Sequence, residues 1–128
     1  MLDKLKFFHK FKKYQIVSDQ YLEKLDIRVG QIIEVSNATV YGDPSYALKI
    51  DFGEDIGTRT TVLKITNSYG PLELKQKYVI GVLNLAPQRM EAHQVDVYLL
   101  GIVDEFDKKI LADTDRHSPI GSSLRIIE

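Results

Sequence analysis

Residues 46–52 read YALKIDF, a segment in which apolar side chains occupy every second position. Its apolar face carries Tyr46, Leu48, Ile50 and Phe52. Successive side chains of a β-strand point to opposite faces, so this alternation predicts a strand with one buried face. Further strand-like segments occur at residues 27–35, 59–65, 78–85, 95–103, 108–112 and 123–127. The sequence therefore predicts an all-β domain.

Turn signals separate these segments and limit their length. Residues 41–45 read YGDPS and residues 118–121 read SPIG, both rich in turn formers, and Gly30 predicts a bulge or bend in the first strand. Residues 78–85 are nearly continuously apolar, which indicates a strand buried on both faces. Short strands without long helices favour a small closed barrel, because closure removes exposed edges. A five-stranded Greek-key OB-fold barrel fits the strand count, although the pattern alone leaves other small barrels open.

Length and composition exclude several classes of protein. A chain of 128 residues corresponds to one domain. It has no cysteine, which excludes disulfides, thiolate nucleophiles and cysteine-bound zinc. It contains no apolar run of the length that spans a bilayer and no apolar segment typical of a signal peptide. These features predict a cytoplasmic protein without a membrane span.

Charge divides the chain into a basic N-terminal extension, residues 1–24, and a mildly acidic barrel domain, residues 25–128. Residues 1–25 carry a net charge of +3 and the remainder carries −4. Residues 1–14 read MLDKLKFFHKFKKY, with a partial helical stripe of apolar side chains among lysines. Two interpretations stay open: an arm for RNA phosphates or anionic lipid, and a helix docking on its own domain or a partner subunit. Ser18 and Asp19 predict the cap of a short helix over residues 20–25.

Three segments identify a family resemblance. Residues 25–32 read LDIRVGQI, residues 50–57 read IDFGEDIG and residues 84–90 read NLAPQRM. In this order and spacing they resemble the tRNA-binding domain family of OB-folds. The second segment and the ending PIG at residues 119–121 are most similar to its CsaA-like group. The resemblance implies a homodimer that binds tRNA by shape and backbone contacts and is not an enzyme. The same group is also described as export-related chaperones, so an apolar groove for unfolded polypeptide at the dimer seam is the alternative.

The residue types and the resemblance together give a set of candidate RNA-binding residues. They are Arg28, Arg59, Lys64, Asn84, Arg89 and His93. Arginine presents a planar fork that fits phosphate, asparagine both donates and accepts, and histidine stacks on bases. Three of them also have a structural alternative. Arg28 pairs with Asp26 or Asp51, Asn84 satisfies loop backbone groups, and Arg89 pairs with Glu91.

The sequence departs from its relatives at the presumed RNA surface. Val95 stands where relatives have a serine, and Asn67 and Ser68 replace a basic pair. Glu91 brings a negative charge, which opposes phosphate binding. The acidic body of the domain and the lost basic pair favour the chaperone alternative more than in a typical relative, and a plain scaffolding domain is a third hypothesis.

No pattern in the chain predicts catalysis, a metal site or a cofactor. The three histidines, His9, His93 and His117, have no metal-ligand spacing. Glycine-rich phosphate loops and nucleophile elbows are also absent from the sequence. We therefore expect a binding protein with no catalytic residues, no metal and no cofactor.

Overall fold

The longest strand, Ile27–Val40, organises the domain because it pairs with two other strands. The computed structural model describes residues 15–128. Its elements in chain order are α1 (Gln20–Glu23), β1 (Ile27–Val40), β2 (Asp43–Asp51), β3 (Thr58–Leu63), α2 (Pro71–Leu74), β4 (Tyr78–Val82), β5 (Gln88–Met90), β6 (His93–Val95), β7 (Tyr98–Leu99), β8 (Gly101–Val103) and β9 (Lys109–Leu111). The described part of the chain is therefore mostly β, as the sequence predicts.

The strands form one large and two small antiparallel sheets. The large sheet has the order β3-β2-β1-β4-β7, and β5–β6 and β8–β9 are two-stranded. Asp96, just after β6, donates its backbone N–H to the Thr60 carbonyl on β3 at 3.0 Å, and its carboxylate accepts the Thr60 N–H at 2.6 Å. These bonds tie the β5–β6 hairpin to the edge of the large sheet. The closed five-stranded OB barrel stays a prediction, because the assigned pairings give an open strand order.

The irregularity in β1 does not lie at Gly30, where the sequence predicted a bulge. Gly30 pairs regularly with Val79 on β4, and the register shift falls between Ile32 and Glu34. A Cβ on Gly30 would lie 2.7 Å from Ile50 Cγ2 and 2.7 Å from the Phe52 ring. Glycine is needed here because buried side chains approach the backbone closely, so the prediction had the wrong physical reason.

Two apolar clusters bury opposite faces of β4. Val79 belongs to the main core together with the four residues on the apolar face of the 46–52 segment. Ile80 and Val82 pack instead with Ile27 at the start of β1. The sequence prediction of a strand buried on both faces is confirmed.

Two predicted strands of the C-terminal half are wrong. The single strand predicted over residues 95–103 is divided, because the segment changes partner along its length. Tyr98–Leu99 pairs with β4, whereas Gly101–Val103 pairs with β9. Residues 123–127, predicted as a last strand, contribute only an isolated bridge between Ser123 and Arg28.

The N-terminal helix begins where the sequence predicted a cap. The Ser18 hydroxyl accepts the backbone N–H of Gln20 at 3.3 Å, whereas the Asp19 side chain makes no capping bond. Residues 1–14, for which a basic amphipathic arm was predicted, lie outside the described residues. From residue 15 onward, no helix is long and apolar enough to cross a membrane.

Candidate nucleic-acid interface

The β5–β6 hairpin presents one polar face and one apolar face. Arg89 and Gln94 form a cross-strand pair, and both are exposed. Met90 pairs with His93, and both are half-buried on the side where Val95 enters the core. Within residues 15–128 the Arg89 guanidinium has no hydrogen-bond or ion-pair partner. The hairpin therefore holds a free cation outward on a short, well-anchored strand.

Position 95, where the resemblance implied a serine in relatives, lies in the core. Val95 is 4% exposed and packs with Val40 and Val62. Its side chain contributes to the packing under the hairpin and offers nothing to a ligand at the surface.

Arg28 and Asn84 are joined through Asp26 at the start of β1. The Arg28 Nε donates to the Asp26 carboxylate at 2.7 Å, and its Nη1 donates to the Gly121 carbonyl at 2.9 Å. Asn84 Oδ1 accepts the Asp26 N–H, and its Nδ2 donates to the Lys24 carbonyl, both at 2.7 Å. Both side chains thus make the framework contacts that the structural alternatives predicted. Their RNA-binding roles stay predictions.

Lys64 follows β3 directly and forms an ion pair with Asp43 at the start of β2. Its Nζ lies 2.8 Å from Asp43 Oδ2. The hydrogen bond and the positive charge of Lys64 lower the pKa of Asp43 below its ordinary value of 3.8. A lowered pKa means that the pair stabilises the fold above the unfolded-state pKa, and that this contribution disappears as the pH falls through the folded-state pKa. At neutral pH a phosphate that approaches Lys64 competes with Asp43.

The candidate residues fall into two groups. Arg28 and Asn84 belong to the cluster around Asp26. Arg59 is half-buried on β3 opposite Ile50, and β3 adjoins the β5–β6 hairpin that carries Arg89 and His93. Sequence reasoning named Asp26 as a possible partner of Arg28 but missed its contact with Asn84, because nothing in the local pattern shows that a backbone N–H at position 26 meets a side chain at position 84.

Glu91 does not pair with Arg89. Its carboxylate accepts the backbone N–H of Tyr41 at the tip of the β1–β2 hairpin. The negative charge that the sequence placed at the RNA surface is therefore partly compensated by a backbone donor.

Comparison with known proteins places this chain in a family. The family described as "Putative tRNA binding domain" matches residues 27–123, from the start of β1 to the bridge at Ser123. The methionine–tRNA ligase of Pyrococcus furiosus is 33% identical over 114 residues, which are 89% of this chain and 15% of that protein. This chain therefore spans only a small fraction of the length of that relative.

Two solved structures share the fold over nearly the same range. The chaperone CsaA of Bacillus anthracis str. Ames superposes with a TM-score of 0.82 at 25% identity, covering 87% of this chain and all of that one. The CsaA chaperone protein of Picrophilus torridus gives a TM-score of 0.78 at 33% identity, covering 86% of this chain and all of that one. Because the family match covers most of the chain and these solved structures share its fold, the chain belongs to the tRNA-binding domain family.

Proposed function

We propose that this protein binds tRNA without catalysis, by shape and backbone contacts, with the β5–β6 hairpin as the main contact. The observation that carries the proposal is the exposed Arg89 guanidinium, which has no partner within residues 15–128, in a domain of a tRNA-binding family. A guanidinium presents a planar fork that fits phosphate oxygens, and tRNA offers phosphates along its whole surface. The proposal also includes an OB-type binding surface and a cytoplasmic location, and both of these are predictions from the sequence.

The other candidates contribute in two ways. Lys64 directly follows β3, which adjoins the hairpin, and supplies a cation. His93 lies within the hairpin on β6 and supplies a half-buried ring that stacks on bases. Asn84 holds the entry into β1 against the segment after β4, and Arg28 links Asp26 to the Gly121 carbonyl. Their remaining hydrogen-bonding capacity is available to a 2′-hydroxyl or a phosphate.

Replacement of Arg89 by alanine tests the proposal. We expect Arg89→Ala to weaken the binding of total tRNA about three- to tenfold at low salt, and to lower the slope of log K against log salt by about one unit, because one phosphate contact is lost. The measurement is fluorescence anisotropy over a salt series. Lys75→Ala is the matched control, since Lys75 is an exposed cation at the end of α2. Equal slopes for Arg89→Ala and wild type, or no binding by the wild type at low salt, would contradict the proposal.

We further propose that two copies associate through the β8–β9 hairpin. Ile102 is 63% exposed on β8, and Phe106 in the following turn is 83% exposed. A two-stranded hairpin with apolar side chains in water is marginally stable, and a second copy would bury this surface. Two RNA-binding faces in one particle would also raise avidity without new contacts.

A charge on the hairpin tests this association. We expect Ile102→Glu to convert a particle with the mass of two chains into one with the mass of a single chain, because an unpaired buried carboxylate is costly. Sedimentation equilibrium measures the mass. Leu72→Glu is the control, because Leu72 is 88% exposed on α2, outside the hairpin. A wild type with the mass of one chain would overturn the dimer and leave the hairpin open to unfolded polypeptide, the second candidate ligand.

A further inference from the structure

The tips of two hairpins meet at the edge of the domain. Tyr41 and Gly42 form the two-residue turn between β1 and β2, and both have positive φ, at 48° and 85°. Glu91, with φ 55°, begins the turn between β5 and β6. The Glu91 carboxylate accepts the Tyr41 backbone N–H, which links residues 50 positions apart. We call the two turns together the paired tips.

Buried residues fix the paired tips from below. Val40 directly precedes Tyr41, is 1% exposed, and packs with Val62 and Val95. Met90 directly precedes Glu91 and packs against the same cluster. Each turn therefore starts from an anchored residue, and the bond between Glu91 and Tyr41 adds a direct connection above the core.

Tyr41 is an unusual residue for its position. Turns of this type favour asparagine, aspartate or glycine at the first central residue, because other side chains are strained at positive φ. Its side chain is 68% exposed, so core packing does not offset this strain. A strained backbone that carries an exposed aromatic ring points to a function for the ring.

Two cations belong to the segments that form the paired tips: one is held by the residue after the Tyr41–Gly42 turn, and the other lies on the strand that leads into Glu91. Asp43 follows the turn and holds the Lys64 ammonium at 2.8 Å, and Arg89 lies two residues before Glu91. An exposed aromatic ring on a surface that also carries cations is the arrangement that binds unpaired nucleotides, since bases stack on the ring while the cations meet the backbone.

We propose that Tyr41 is a stacking platform for an unpaired base of the bound RNA, and that Glu91 is the positioning residue that holds it. This inference rests on the proposed tRNA binding and names the part of the ligand that the paired tips contact. It also accounts for a carboxylate at the RNA surface, because the charge of Glu91 serves to bind the Tyr41 N–H.

Variants of Tyr41 separate stacking from structure. We expect Tyr41→Asn to weaken the binding of total tRNA about 5- to 100-fold, because base stacking on an aromatic ring is lost. The same variant should raise the midpoint of thermal unfolding, because asparagine suits the turn. Tyr41→Phe should bind as wild type does, since it retains an aromatic face. Tyr21→Ala is the matched control, because Tyr21 is 63% exposed on α1, away from the paired tips.

Three readouts decide the proposal. The salt slope of Tyr41→Asn should equal that of wild type, because stacking releases no counterions. Binding of a fully paired RNA duplex should be unchanged, because it offers no unpaired base. Glu91→Ala should lose part of the tRNA affinity, and Glu91→Gln should recover much of it, because its amide oxygen still accepts the Tyr41 N–H.

The outcomes distinguish a failure of the stacking platform from a failure of the proposed tRNA binding. If the wild type binds tRNA and Tyr41→Asn binds it equally well, Tyr41 is not a stacking platform, and the proposed tRNA binding still stands. An equal loss for duplex and tRNA, or a lower salt slope, would also overturn the platform, because it would indicate a general distortion of the surface. No binding by the wild type would overturn both.

Discussion

Replacing Gly30 with alanine is expected to lower the free energy of unfolding by about 3 kcal/mol, the cost of overpacking a rigid core. The added Cβ would lie 2.7 Å from Ile50 Cγ2 and 2.7 Å from Phe52 Cε1. Both neighbours are almost completely buried, so neither can move without displacing the main core. Urea unfolding measures the loss as a lower midpoint at an unchanged m-value.

Gly70 provides the matched control for this substitution. Its φ is −83°, and the nearest atom to an added Cβ is Glu73 Oε1 at an ordinary 3.5 Å. We expect Gly70→Ala to cost less than about 1 kcal/mol, since it changes only the residue before a short helix. Equal losses for the two variants would contradict the close approach at Gly30.

Replacement of Asn84 by alanine is expected to lower the free energy of unfolding by about 2 kcal/mol, about one for each hydrogen bond lost. The amide bonds to the Asp26 N–H and the Lys24 carbonyl at 2.7 Å each, and so fixes the entry into β1. Asn84→Asp should cost at least as much, because a carboxylate oxygen would then face the Lys24 carbonyl. Chemical denaturation of both variants measures these costs.

Gln88 serves as the control for Asn84. It is exposed on β5, and we expect Gln88→Ala to change stability by less than about 0.5 kcal/mol. If Asn84→Ala is as stable as the wild type, water replaces both hydrogen bonds without a loss of stability, which would contradict the prediction. Measuring tRNA binding on the same variants tests the RNA-binding role predicted for Asn84 separately from its framework role.

Local patterns were sufficient to predict the sheet-forming segments of β2 and β4. The alternation at residues 46–52 marks a face that is buried, and the apolar run at residues 78–85 marks a strand with two buried faces. Both signals depend only on neighbours along the chain, which is why they predict the structure well. The family resemblance added Arg89 as a candidate RNA-binding residue, which composition alone does not give.

Contacts between distant parts of the chain could not be predicted in the same way. The need for glycine at position 30 comes from Ile50 and Phe52, so the sequence showed a glycine without its cause. The bond between Glu91 and Tyr41 depends on how two hairpins meet, and a sequence shows only that each turn exists. For Arg28, the sequence left two roles open, and the short contact to Asp26 is a property of the folded chain.

The double pairing of β1 has a consequence for the order in which the chain folds. Its C-terminal half pairs with β2 across a two-residue turn, so that ladder closes the smallest loop in the large sheet. Its N-terminal half pairs with β4, which is separated from β1 in the chain by β2, β3 and α2. Closing the longer loop costs more chain entropy, so we expect the β1–β2 hairpin to form early and the β1–β4 ladder to limit the folding rate. The core around Ile27, which needs β4, would then be among the last parts of the protein to exclude water.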